Sequence, residues 1–98
     1  MTIRHVVAFT LAATDAATRA EHAAEITRRV KALVGVVPAI RALSAGPGIT
    51  PGDWDVALVV DVADRDGLEA YAVHPVHQEV LGYIRSVISD RVAVDFEL

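Results

Sequence analysis

The 98 residues predict one α+β domain, spanning 1–98, in which two helices cover one face of a four-stranded antiparallel sheet. The first observation is the order of the periodic segments, which read β-α-β-β-α-β. The second is that turn residues are concentrated in one stretch, 46–53, which is too short to join two domains. The third is that the first and third strands carry apolar side chains on both faces, although the helices can cover only one.

The first strand and the first helix follow from periodicity and capping. Alternation over Ile3–Leu11 predicts a strand whose two faces are both largely apolar. Thr14 and Asp15 offer side-chain oxygens as N-caps to an amphipathic helix that runs to about Leu33 or Val34.

Two further strands are expected after this helix. Gly35 suits the position after a helix that tolerates a positive φ, and Pro38 prevents the helix from resuming. A short second strand is predicted at Ile40–Ala45, and the third strand, Trp54–Val62, shows the clearest alternation of the chain.

A proline divides the second helical region. Asp64 can cap a helix at about Arg65–Val73, His74-Pro75 interrupts it, and helical spacing resumes over Val76–Ser89. Alternation over Arg91–Leu98 predicts the fourth strand.

The composition excludes several classes of function. The net charge of −4 argues against a nucleic-acid partner, which requires a basic face. The chain has no cysteine, which excludes disulfides, thiolate nucleophiles and zinc-thiolate sites and fits a cytoplasmic location. No apolar run approaches the roughly 20 residues that cross a bilayer, and the N-terminal residues do not resemble an export signal, so no membrane partner is expected.

The same composition predicts a homodimer. A chain of this length buries only about 60–65% of its unfolded surface, and a core rich in alanine and valine adds little area per residue. The apolar side chains on the sheet face opposite the helices need a cover. The simplest cover is the same face of a second copy, related by a two-fold axis.

His77 and Tyr71 are the first candidates for chemistry. His77 falls on the apolar stripe of the last helix, so its imidazole faces the sheet, where it could shuttle protons near neutral pH. Spacing alone favours the simpler alternative, in which a backbone carbonyl satisfies the ring. Tyr71 converges on His77 if the helix break folds the chain back, and a phenol can donate to a carbonyl oxygen while an imidazole takes a proton nearby. The structural alternative for Tyr71 is a core aromatic with its hydroxyl at the rim.

Two other histidines have weaker signals. His5 shares a strand face with Phe9, and it lines a cavity between the sheet and its cover if the helices leave that face open. His74 precedes a proline and serves the helix junction, as an N-cap or through its backbone. A zinc ion could use the spacing of His74 and His77, but no third ligand is apparent, and the chain has no phosphate-binding glycine motif. We therefore expect neither a metal nor a cofactor.

Three segments together resemble the stress-responsive dimeric α/β-barrel family. They are residues 3–9, the Tyr-x-x-His-Pro-x-His segment at 71–77, which is the most specific, and residues 91–97. The resemblance covers the whole chain. It implies a ferredoxin-like protomer whose sheet pairs with that of a second copy as a homodimeric α/β barrel with an interior cavity.

The resemblance also implies roles for individual residues. A few members of the family are cofactor-free polyketide cyclases, whose acid/base pair falls on Tyr71 and His77 and whose first-strand histidine falls on His5. The cyclases have a further histidine in the third strand, where this sequence has Val56 or a neighbouring apolar residue. Because of this departure, the resemblance does not carry over the substrate or the reaction of the cyclases.

Three functions remain open. The first is proton transfer at carbon in a small apolar carbonyl or phenolic compound, as in a cyclase or lyase, with His77 as general base, Tyr71 as its partner and His5 binding an oxygen. The second is a stress-associated protein that holds such a ligand without turning it over. The third is a cofactor-free monooxygenase of the antibiotic-biosynthesis type, which Trp54 supports slightly and the His-Pro-x-His segment argues against. The residues expected to line the substrate site are His5, Phe9, Trp54 and Val56.

Overall fold

A computed structural model describes all 98 residues. The elements are β1 (Ile3–Leu11), α1 (Ala16–Lys31), β2 (Ala42–Pro47), β3 (Val56–Val62), α2 (Arg65–Val73), α3 (Pro75–Val87) and β4 (Ile88–Glu97). The strands form one antiparallel sheet in the order β2-β3-β1-β4, which confirms the predicted βαββαβ arrangement. None of the helices combines the length and the apolar character needed to cross a membrane.

The predicted helix caps are present in the structure. The Asp15 carboxylate accepts a hydrogen bond from the backbone N–H of Thr18 at 2.9 Å, and Asp64 accepts one from Gly67 at 2.8 Å. Gly35 has a φ of 82°, a left-handed conformation that glycine adopts without steric cost. It lies in the turn after α1, because the helix ends at Lys31 and not at the predicted Leu33 or Val34.

The first residues of three strands differ from the prediction. β2 and β3 each begin two residues later than expected, at Ala42 and Val56. β4 begins at Ile88 and not at Arg91, because a register shift between Thr10 and Leu11 lets the strand continue to pair with the end of β1. Pairing with residues that are distant in the sequence sets these boundaries, and local periodicity cannot predict that pairing.

One face of the sheet packs against all three helices. Its side chains come from β1 and β3, which are paired so that their buried residues share this face. The buried residues of the two strands are Ile3, Val7, Phe9, Leu11, Val56, Leu58, Val60 and Val62. Ile26, Val30 and Ile84 are among the helix residues that complete this core.

The opposite face of the sheet has no cover within the chain. Val6, in the middle of β1, lies opposite Val59 of β3 and Val94 of β4, so the three valines form an apolar row across the sheet. Val94 is 57% exposed, and Phe96, on the same face of β4, is 44% exposed. We call this surface, made by Val6, Val59, Val92, Val94 and Phe96, the open sheet face.

Candidate active site

The junction between α2 and α3 brings Tyr71 and His77 together. His74 is extended, with φ −60° and ψ 133°, and its Nδ1 accepts a hydrogen bond from the backbone N–H of Val76 at 3.2 Å, so it caps α3. Pro75 follows at the first helical position, where its missing N–H leaves no hydrogen bond unmade. The chain folds back at this break, and the Tyr71 and His77 rings lie 4.1 Å apart, tilted by 41°.

His77 is held in one tautomer. Its Nδ1 lies 3.0 Å from the carbonyl oxygen of Ala72. A carbonyl can only accept, so Nδ1 carries the proton and Nε2 keeps its lone pair. The ring is 8% exposed, and burial lowers its pKa, which the Ala72 hydrogen bond opposes and the nearby cations reinforce. At neutral pH, His77 is therefore an uncharged imidazole with Nε2 available as a base.

Tyr71 is a neutral hydrogen-bond donor. The residue is 3% exposed, and burial raises the pKa of its phenol to about 12, although the nearby Arg91 cation acts in the opposite direction. The Tyr71 hydroxyl makes no hydrogen bond within the chain. It is not fully buried, because the one fully buried side-chain N or O atom without a partner is Nδ1 of His22. The O–H is therefore free for a ligand.

His5 extends this group on the helix-covered face of the sheet. Its ring centroid lies 5.8 Å from that of Tyr71, with the planes at 62°. Its Nδ1 contacts the carboxylate of Asp95, the residue directly opposite on β4. The helices cover this face, since His5 shares it with the buried Val7 and Phe9, so the condition for His5 to line a cavity on an uncovered face is not met.

A cavity of about 690 Å³ surrounds these side chains. This volume is typical of small-molecule sites. Its apolar floor includes Val7, Phe9, Leu58, Leu68, Val80 and Ile84, and its exposed polar rim comprises Arg65, Glu69, Gln78, Arg91, Asp95 and Glu97. The cavity lies between the sheet and the helices of a single chain, which corrects the expected position inside a barrel formed by two sheets.

Two residues expected at the substrate site lie elsewhere. Trp54 is 42% exposed and lines a separate, polar depression with Arg19 and Asp53. Val56 is 2% exposed and belongs to the core without lining the cavity. Leu58, two residues along β3, is the strand residue that reaches the cavity, whereas Phe9 lines it as expected.

Asp95 and Arg91 are site residues that the sequence did not identify. Alternation places both on one face of β4, but only the pairing with β1 shows that this is the face toward the helices. The two histidines with zinc-like spacing both use Nδ1 within the chain, His74 for Val76 and His77 for Ala72. No group of three or more potential metal ligands is present in the structure.

Solved structures share this architecture. A dimeric ferredoxin-like protein of unknown function from Thermobifida fusca is 32% identical, with a TM-score of 0.83, and covers 100% of this chain and 92% of its own. Another from Bacteroides fragilis is 24% identical, with a TM-score of 0.91 and coverages of 99% and 96%. The curated proteins include no match to this sequence.

Enzymes occur among the more distant structures. The hydroxynitrile lyase of Passiflora edulis is 12% identical, with a TM-score of 0.79 and coverages of 97% and 91%. SnoaB, a cofactor-independent oxygenase from Streptomyces nogalater, is 14% identical, with a TM-score of 0.77 and coverages of 99% and 92%. At these identities the likeness shows the fold alone.

The family assignment rests on the sequence itself. The profile of the stress responsive A/B barrel domain matches residues 3–98, which is nearly the full length. The Tyr-x-x-His-Pro-x-His segment within this match is the one that builds the helix junction and brings Tyr71 and His77 together. The chain belongs to the stress responsive A/B barrel domain family.

Proposed function

We propose that the protein binds a small, largely apolar carbonyl or phenolic compound in its cavity and transfers a proton at carbon, as a cofactor-free cyclase or lyase does. The observation that carries this proposal is the pairing of His77, with its Nε2 lone pair free, and Tyr71, with its O–H free, at a ring separation of 4.1 Å inside a ligand-sized cavity. A base beside a neutral donor is the arrangement that enolisation needs.

Each residue has one role in the proposed step. Nε2 of His77 takes the proton from a carbon next to the substrate carbonyl, and the electron pair of the broken C–H bond moves onto the carbonyl oxygen. The Tyr71 hydroxyl donates to that oxygen as it becomes negative. In a cyclisation, the enolate carbon attacks a second carbonyl of the same molecule, and His77 returns its proton to the new alkoxide. His5, oriented by Asp95, binds a further substrate oxygen.

The surroundings favour this assignment of acid and base. His77 is 8% exposed, and burial lowers the pKa of its ring, so its base form persists below the ordinary pH of histidine titration. Burial also raises the pKa of Tyr71 to about 12, which keeps the phenol protonated. A base and an acid with displaced pKa values in one cavity are typical of a catalytic site.

Deuterium exchange tests the proposed chemistry without requiring the natural substrate. Phenylacetone is a small apolar ketone with exchangeable protons next to its carbonyl, and NMR in D₂O follows their loss. We expect the protein to accelerate exchange without a cofactor, and His77→Ala to lose about 10²-fold or more of that acceleration, since general acid/base catalysis contributes roughly 10²–10⁴-fold.

His22→Ala is the matched control, because His22 lies on α1 and does not line the cavity. It should leave the rate unchanged. An equal rate in His77→Ala and the unsubstituted protein would overturn the assignment of His77 as the base.

Non-catalytic ligand binding is the second candidate. The Ala72 carbonyl satisfies Nδ1 of His77 in the way that a purely structural histidine requires. Binding of phenylacetone with no exchange above the buffer rate would favour this function.

We also propose a homodimer formed through the open sheet face. Val94 is exposed and Val6 and Val59 are half-buried, and together they form an apolar row that a second copy can cover. The two similar structures from Thermobifida fusca and Bacteroides fragilis are of dimeric proteins. The cavity opens on the helix side of the sheet, so dimerisation leaves its lining within one chain.

A further inference from the structure

The rim of the cavity carries two arginines that form no ion pair. The lining contains two arginines, Arg65 and Arg91, and three acidic residues, Glu69, Asp95 and Glu97. Neither arginine belongs to any of the ion pairs of the chain. A guanidinium that lines a ligand-sized cavity without a partner has all five of its N–H donors available.

Strand register separates the two arginines. Arg91 lies opposite Phe9, whereas Glu97 lies opposite Ile3 at the other end of β1. At about 3.3 Å per residue, Arg91 is roughly 13 Å from Asp95 and roughly 20 Å from Glu97 along β4. Arg65 begins α2 directly after β3, whose last residue also lies opposite Ile3, so Arg65 is at the same end as Glu97.

The two ends of the rim therefore differ in charge. At one end, a cation lies among carboxylates, and at the other end Arg91 is the only charged residue of the lining. This local positive charge stands out in a chain whose net charge is −4. Nothing in the apolar floor or in the neutral pair Tyr71 and His77 competes with a ligand for it.

We propose that the compound bound in the cavity carries a carboxylate, and that Arg91 binds this carboxylate. The inference rests on the proposed function, because it specifies the class of compound that the same cavity accepts. The planar guanidinium suits a carboxylate, which it can bind through two parallel hydrogen bonds. The apolar body of the acid then lies on Phe9 and Leu58, next to Tyr71 and His77.

The electrostatic influence of Arg91 on its neighbours is consistent with this position. The Arg91 cation acts to lower the pKa of both Tyr71 and His77, which shows that its charge is felt by the two side chains proposed to act on the substrate. A carboxylate bound at Arg91 would lie in the same cavity as this pair.

A pair of probes that differ only in charge tests the inference. 2-Naphthoate and 2-naphthamide have the same ring system and nearly the same shape, and calorimetry or equilibrium dialysis at pH 7.5 measures their Kd values. We expect the protein to bind naphthoate more tightly than naphthamide. Arg91→Gln should weaken naphthoate binding by about tenfold and leave naphthamide binding within about twofold, since hydrogen bonds to charged groups are the stronger ones.

Two further variants sharpen the comparison. Arg91→Lys should recover part of the naphthoate affinity, because lysine restores the charge without the forked geometry. Arg41→Gln is the matched control, since Arg41 is exposed next to β2, at the opposite edge of the sheet from β4, and does not line the cavity. It should bind both probes as the unsubstituted protein does.

The outcomes separate this inference from the proposed chemistry. Equal losses for both probes in Arg91→Gln, or no loss for either, would overturn carboxylate recognition while leaving the phenylacetone result untouched. Failure of the unsubstituted protein to bind naphthoate at all would also overturn it. Absence of phenylacetone exchange together with selective loss of naphthoate binding would retain the inference and remove only the catalytic step.

Discussion

Burial and a hydrogen bond act in opposite directions on the protonation of the His77 imidazole. Burial disfavours the charged ring, while the Ala72 carbonyl favours a proton on Nδ1 in either state. The desolvation is the larger influence, so the pKa falls. The same buried environment that makes His77 a base at neutral pH therefore makes its protonation unfavourable to the folded chain.

This balance predicts a pH dependence of stability. The pKa of His77 is lower in the folded chain than its unfolded value of about 6.5, so on acidification the unfolded chain takes up this proton first. The contribution of His77 to the free energy of unfolding is thus complete above about pH 6.5 and is lost as pH falls through the folded-state pKa. His77→Gln should show a smaller loss of stability than the unsubstituted chain between pH 7.5 and 5.

Urea unfolding at several pH values measures this difference. Other titrating groups contribute equally to both proteins, so the gap between the two curves isolates His77. Parallel curves over this range would contradict the lowered pKa.

The sequence predicted the acid/base pair but not its partners. Tyr71 and His77 lie within seven residues of each other, and the sequence predicted their convergence on the condition that the chain folds back at the intervening proline. The sequence left open which side of the sheet His5 faces, because both faces of β1 are apolar and its pattern has no feature that identifies the helix side. Asp95 lies 90 residues from His5 in the chain, and only the strand register brings them together.

At the scale of elements, a half-buried ion pair joins α1 to two strands. Arg19, on α1, contacts the Asp55 carboxylate at 2.6 Å and the carbonyl oxygen of Ala13 at 2.7 Å. The other carboxylate oxygen of Asp55 accepts from the backbone N–H of Leu11 at 2.8 Å. Asp55, the residue before β3, thus connects this strand to the end of β1 and to the first turns of α1.

Removing this carboxylate should destabilise the fold. Asp55→Ala leaves the Leu11 N–H and the Arg19 guanidinium without their acceptor, and hydrogen bonds to charged groups contribute about 2 kcal/mol. Chemical denaturation should therefore show a loss of about 2 kcal/mol in the free energy of unfolding. Asp53→Ala is the control, since the Asp53 side chain is exposed and makes no ion pair. An equal effect of both substitutions would show that the Asp55 contacts contribute nothing specific.

Elements were predictable where a local signal defines them. The bounds of β1 and the break at His74 and Pro75 follow from alternation and from proline. The start of β4 did not, because Ile88 and Ser89 continue the helical spacing of α3 in sequence, and the strand begins there only because its residues pair with Thr10 and Leu11.

At the scale of the whole molecule, the open sheet face is the surface available for assembly. Light scattering should give about twice the mass of one chain at micromolar concentration. Val94→Lys places a charge in the middle of the valine row, where burial of an unpaired charge is costly, and it should shift the mass toward that of a monomer. Val34→Lys is a matched control, because Val34 is 55% exposed against 57% for Val94 but lies in the turn after α1. A monomeric unsubstituted protein would contradict the proposed dimer.

The two-sided strands indicated the need for a second copy, but not the place of the cavity. Apolar residues on both faces of a strand indicate that both faces are covered. They do not indicate on which face the packing leaves a cavity. The cavity lies where Tyr71 and His77 from the helix junction meet exposed charged residues of β4, the strand at the sheet edge.

The register of β4 links the chemistry of the cavity to the assembly of the molecule. Side chains alternate along a strand, so the residues at odd positions from 91 to 97 face the cavity side and those at even positions face the open side. A deletion of one residue between α3 and Arg91 would exchange the two sets, placing valines beside Tyr71 and charges in the apolar row. Two deletions would restore them. The length of this connection can therefore change in evolution only by even numbers if ligand binding and self-association are both to survive.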